Sequence, residues 1–193
     1  MTVEQLFNKA NRLFAEKNYI GGLEVYKEIY FKFPKNIRLY DEVKKKEKKY
    51  RKTIHESYSQ TQIQDLFKLE SSGNITTAIK ILTNNFNKNR NDILTISLLG
   101  NFHGLNKEFN NAIYFQKLAI QLAPFESVFY LNLSESLRKN DQLDQSLSIL
   151  YFSKILSSED VLIDYKLAKL NTTLKNFEQS DLIYTGLVKN KNI

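Results

Sequence analysis

Imidazole and thiol chemistry have almost nothing to work with in this chain. Its 193 residues include no cysteine and only two histidines, His55 and His103. Disulfides, thiolate metal sites and cysteine nucleophiles are therefore excluded. Neither histidine has an Asp, Glu or Ser at a spacing that would build a catalytic triad or a metal cluster, so both read as structural. No Gly-rich phosphate loop occurs in the sequence. The chain reads as a non-enzyme, with no catalytic, metal-binding or cofactor-binding residue and no cofactor. The polar chemistry on offer is that of amides and ammonium groups. An Asn carboxamide carries a donor and an acceptor together, so it can pair with both backbone groups of an extended peptide, and lysine adds attraction for carboxylates.

The formal charge is +7, and it is concentrated. Residues 37 to 58 hold eight basic residues (Arg38, Lys44, Lys45, Lys46, Lys48, Lys49, Arg51 and Lys52) against four acids (Asp41, Glu42, Glu47 and Glu56), a local excess of four. Without Gly or Pro, this stretch is expected to be a helix, with Tyr40, Val43, Tyr50 and Ile54 forming one narrow apolar stripe. Its functional reading is a basic surface for nucleic acid or an acidic membrane. Its structural reading is a spacer helix with a solvated outer face, and the interleaved acids favour the latter.

A hydrophobic content of 42% suits one folded domain with a sizeable core. Apolar runs are short and broken by Asn, Lys and Asp, so membrane insertion is not expected. The start, Met1-Thr2-Val3-Glu4-Gln5, has neither a basic nor an apolar leader region, which points to a cytoplasmic location.

The elements that would position these groups are visible as a period. Ala78, Ala112, Ser146 and Ser180 stand 34 residues apart, and Leu66, Gly100, Ser134 and Ala168 form a second, mostly small column in the same register. Small residues recur where helices approach closely. The N-terminus fits the frame through Ala10, Gly22, Tyr26 and Pro34, and Pro124 closes another unit in the same way. Turn residues fall where the two helices of each unit would meet: Lys17-Asn18, Ser72-Gly73-Asn74, Leu105-Asn106-Lys107, Asn140-Asp141 and Lys175-Asn176.

This pattern resembles the tetratricopeptide repeat. The third unit matches it best, through Ile96, Leu99-Gly100, Ala112, Ala119 and Pro124, while His103, Gln116, Ser158 and Arg90 depart from the residue types the family favours. The resemblance implies an all-α fold, a right-handed solenoid of antiparallel helix hairpins forming a single domain, 1–193. It divides into repeats at 3–36, 59–92, 93–126, 127–160 and 161–193, with the basic insertion at 37–58. Each hairpin must stack on a neighbour to bury its apolar face. The last helix, with Leu182, Ile183, Leu187 and Val188, is expected to present an apolar face, which suggests self-association, a further domain or a frayed end.

The resemblance also implies where a partner would lie. In this family the first helix of each hairpin lines a concave groove, and those positions here carry Asn8, Asn11, Gln64, Asn101, Asn132, Lys166 and Lys169. Chaperone-binding members use a carboxylate clamp of two lysines, two asparagines and an arginine. Asn101 and Asn132 match its asparagines, but Ser97 and Leu162 stand in the lysine places and Lys166 in that of the arginine, which argues against capture of a chaperone's C-terminal carboxylate. The expected function is thus a protein-interaction scaffold that binds a peptide or partner domain in the groove. Two alternatives stand beside it. The pattern from Ile63 to Phe86 followed by Leu98-Leu99-Gly100 resembles the N-terminal repeat regions of bacterial sulfotransferases and glycosyltransferases, a likeness covering about residues 3 to 150, which implies an accessory module of a transferase. Nucleic-acid binding through the basic helix is the other, and a steep salt dependence would be its mark.

Overall fold

The computed structural model describes residues 1–34, 36–50 and 58–190, all of whose regular structure is helical. The helices are α1 (Val3–Ala15), α2 (Tyr19–Lys32), α3 (Ile37–Tyr50), α4 (Gln60–Ser71), α5 (Ile75–Lys88), α6 (Ile93–Leu105), α7 (Phe109–Leu122), α8 (Ser127–Lys139), α9 (Leu143–Leu156), α10 (Val161–Thr173) and α11 (Phe177–Asn190). The basic segment is helical from Ile37 to Tyr50, while residues 51–57, His55 among them, lie outside the described residues.

Local chemistry explains where these helices start. Thr2 and Ser59 form capping boxes with Gln5 and Gln62, each satisfying two otherwise unpaired backbone groups. Asp92 and Asp160 accept from the backbone N–H groups of Leu94 and Leu162 at 3.2 and 2.9 Å, capping α6 and α10. The turn inside each hairpin has one residue in the left-handed region: Lys17, Gly73, Lys107, Asp141 or Lys175. The last four are spaced by 34 residues, so the period found in residue types is also a period of backbone conformation. Only Gly73 adopts that conformation without a steric penalty, and the other four each carry the cost of a Cβ.

The two small columns meet inside the hairpins. Ala78, Ala112, Ser146 and Ser180 are fully or almost fully buried, as are Ser134 and Ala168. A Cβ on Gly22 would lie 2.5 Å from the Phe14 ring, and one on Gly100 would lie 2.8 Å from Gln116 Cγ, so glycine is what lets the paired helices close. Where serine replaces alanine, its hydroxyl is used. Ser146 donates to the Ser134 carbonyl at 2.7 Å and Ser180 to the Ala168 carbonyl at 3.0 Å, the same bridge one repeat apart.

From α4 to α11 the pairs stack in chain order, α5 on α6, α7 on α8 and α9 on α10. The N-terminal pair does not extend that stack. Both α2 and α3 pack against α9, more than a hundred residues away in sequence. Phe31 and Tyr30 meet Tyr151 at ring separations of 4.6 and 6.0 Å. Lys27 donates to Ser148 at 2.7 Å and lies 4.7 Å above the Phe152 ring. Phe125, in the loop after α7, is enclosed by Phe14, Tyr19 and Tyr50, stacking on the last. In α3, Leu39 and Val43 are buried, while Lys44, Lys45, Lys48 and Lys49 are exposed. Arg38 is paired with Glu4 at 2.6 Å and covers the Phe7 ring. Among the described residues no helix is long and apolar enough to cross a membrane.

Candidate peptide-binding groove

On the first-helix side of the array, two adjoining depressions run across α4, α6, α8 and α10. One is lined by Phe67, Asn101, Gly104, Leu105, Gln116, Asn132, Glu135, Ser136 and Lys139. The other brings together Leu131, Ser134, Glu135 and Arg138 with Tyr165, Lys166, Lys169 and Thr173 from α10. Glu135 is shared by both.

Helical spacing puts these groups on one face. Asn132, Glu135 and Lys139 follow each other at steps of three and four on α8, and on α10 Lys169 lies three residues after Lys166 and four after Tyr165. Asn132 donates from Nδ2 to Asn101 Oδ1 at 3.0 Å, tying α8 to α6 and leaving the Asn101 amino group and Asn132 Oδ1 for another partner. Glu135 is the carboxylate at the centre of a cationic ring. Arg138 grips both its oxygens, at 2.7 and 3.2 Å, while Lys166 and Lys139 lie 3.6 and 3.8 Å away. The Arg138 hydrogen bond, reinforced by the two lysines, holds its carboxyl below the ordinary glutamate range. Three cations, Arg138, Lys139 and Lys166, thus share one anion, and with Lys169 also in the lining the groove here carries a net positive charge. Phe67, Leu105 and Tyr165 are 42%, 46% and 48% exposed, which places apolar surface beside the charges.

Of the seven residues expected in a groove, Asn101, Asn132, Lys166 and Lys169 line these depressions. Gln64 is exposed on α4 and lines neither. Asn8 and Asn11 lie on α1, whose pair is packed on α9, and the structure does not bring them to either depression. Glu135, Arg138 and Lys139 were not anticipated. Extending the Asn132 face by one and two helical turns would have found Glu135 and Lys139. His103, read as structural, is buried and stacked on Phe115, with Nδ1 2.6 Å from Glu108 Oε2. That contact closes across the turn at Lys107, and it holds the Glu108 carboxyl below its usual range.

No protein-family model matches the chain, and no curated protein matches it in sequence. Solved structures do match it in shape. MamA from Desulfovibrio magneticus RS-1, 14% identical, aligns over 98% of this chain and 94% of its own with a TM-score of 0.61. A tetratricopeptide repeat protein from Parabacteroides merdae, 12% identical, aligns over 98% of this chain and 66% of its own with a TM-score of 0.60. The fold is that of the tetratricopeptide repeats. Part of the array, 55% of the chain, also aligns with 20% of an O-GlcNAc transferase from Thermobaculum terrenum, at 18% identity and a TM-score of 0.50. At such identities the likeness concerns the tetratricopeptide fold alone.

Proposed function

We propose that this chain is a non-catalytic scaffold whose groove, along α6, α8 and α10, holds an extended peptide bearing acidic side chains. The observation that carries this reading is the meeting of Asn101, Asn132, Lys166 and Lys169 in two adjoining depressions on one face. The unpaired amide groups of Asn101 and Asn132 suit a peptide backbone, the excess of cations suits carboxylates, and Phe67 and Tyr165 offer apolar contact. A displayed library of random linear peptides, panned on the whole chain, tests it. Enriched peptides should be rich in Asp and Glu, and Asn101→Ala with Asn132→Ala should abolish their binding while leaving helicity and melting unchanged. Enriched peptides that bind the double variant as well as the parent would overturn the groove assignment.

Two further readings have a narrower basis. The partial likeness to the O-GlcNAc transferase keeps open a role as an accessory module of a transferase, which a co-purifying transferase chain would support. Self-association through α11 is suggested by Leu182 and Val188, which are 67% and 61% exposed. A mass measurement in solution decides it, since a monomer at all accessible concentrations removes that reading.

A further inference from the structure

The floor of the depression between α6, α7 and α8 contains a polar group with no partner. Gln116 is only 4% exposed, and its Oε1 makes no hydrogen bond. An orphaned buried acceptor costs about 1 to 3 kcal/mol relative to a satisfied one, so its place in a wall of helices calls for a reason. The local packing is arranged around it. Gly100 stands opposite, where any Cβ would press on Gln116 Cγ at 2.8 Å, and the next turn of α6 carries Gly104, another residue without a side chain at the same depression. Gly100 thus leaves the space into which the glutamine is built, and Gly104 keeps the same depression clear of a side chain.

The neighbours specify what fits there. Asn101 and Asn132, both half-buried, line the same depression. Once Asn132 has donated to Asn101, the pair retains one unpaired amino group and one unpaired carbonyl oxygen. Asn101 and Asn132 therefore face one space with a donor and an acceptor unsatisfied, and Gln116, whose own buried acceptor is unsatisfied, lines that space too. The charges at the rim, Glu135 and Lys139, are paired with each other at 3.8 Å, and Glu135 is further held by Arg138. The one acid and the one base that line this depression balance, so it offers no net charge to compensate a charged guest, and an aliphatic guest would seal the amides away from water without partners. The complement of this set is a neutral group carrying a carbonyl and an amino group side by side.

We propose that this depression is a receptor for a side-chain carboxamide, an Asn or Gln of the peptide that lies in the groove. The inference deepens the groove reading and rests on it, and it assigns Gln116 a binding role. The guest's amino group donates to Gln116 Oε1 or Asn132 Oδ1, and its carbonyl accepts from the Asn101 amino group. Phe67 and Leu105 cover its methylene stem.

The test uses the whole, isotope-labelled protein and three capped amino acids as probes: the N-acetyl methylamides of glutamine, norleucine and glutamate. Side-chain amide resonances are followed by NMR during titration. The glutamine probe should shift the amide signals of Gln116, Asn101 and Asn132, with an affinity about tenfold above that of the other two. Gln116→Met, close in volume and checked by its melting temperature, should remove that preference. Equal affinities for the three probes, or a preference that survives in Gln116→Met, overturns the inference, and the comparison among probes on the parent protein needs no variant. Failure here with acidic peptides still lost in the Asn101→Ala, Asn132→Ala variant would remove the carboxamide receptor and leave the groove. Failure of both would remove the groove itself.

Discussion

On one side of α9, Ser146 and Leu150 look into the groove beside Arg138 and Lys166. On the other, Tyr151 and Phe152 are closed over by Phe31 and Lys27 of the N-terminal pair. The groove side is amide-lined, cationic and open. The far side is aromatic and filled by the chain's own first three helices. A helical hairpin array has two broad faces, and here they have different fates: one is made dry by the protein itself, the other is left wet and unsatisfied. Apolar burial of the first kind stabilises the fold, whereas unpaired amides and excess charge of the second kind favour a ligand. The difference teaches that α1 to α3 act less as one more repeat than as a brace laid across the back of later ones.

Substitutions can break or sharpen this contrast. The largest effect is expected on the braced side. Phe125→Ala removes a 5% exposed ring seated among Phe14, Tyr19 and Tyr50 and should cost about 3 kcal/mol in urea unfolding, with groove affinity per folded molecule unchanged. Next comes the hairpin interior that both faces share. Ala112→Leu overfills the contact of α7 with Gly100 and Gly104 of α6 and should cost about 1 to 3 kcal/mol, and unaltered melting would count against the register.

The groove side should respond more to pH than to packing changes. Because the folded state holds the Glu135 carboxyl low, the stability it contributes is present above the unfolded glutamate value of about 4.3 and is lost as pH falls through the folded value. With its side chain one-third exposed, the amplitude is below about 1 kcal/mol. Glu135→Gln should flatten that part of the acid limb, and an unchanged limb would mean that Arg138 is not its working partner. The smallest effect should be favourable. Lys107→Gly relieves a left-handed backbone and should raise stability by up to about 1 kcal/mol, and a loss would show that the turn conformation depends on the lysine.

How much of this could be read in the chain differs between the two faces. Small residues at Ala112, Ser146 and Ala168 are demanded by helices in contact, so the hairpins show as a 34-residue period. Once that frame is set, Asn101 and Asn132 follow as groove positions. The brace leaves no such mark. Contacts such as Lys27 with Ser148 join residues 121 apart, and neither neighbourhood carries a local pattern that names the other. Asn8 and Asn11 fall at first-helix positions of the repeat frame, but the structure lays that pair against α9. Glu135 and Arg138 were overlooked for a different reason. An acid and a base three apart on a helix resemble a surface ion pair, and only the approach of Lys166 from α10 makes them the centre of a site.

A working groove and a closed back can be tested together in one measurement. Amide and side-chain NMR shifts of the whole protein should be mapped on adding an acidic peptide selected from the library. Perturbations concentrated on Asn101, Asn132, Lys166 and Lys169, with α1 to α3 silent, are the predicted result. Shifts centred on α1 to α3, with those four residues unmoved, would contradict it.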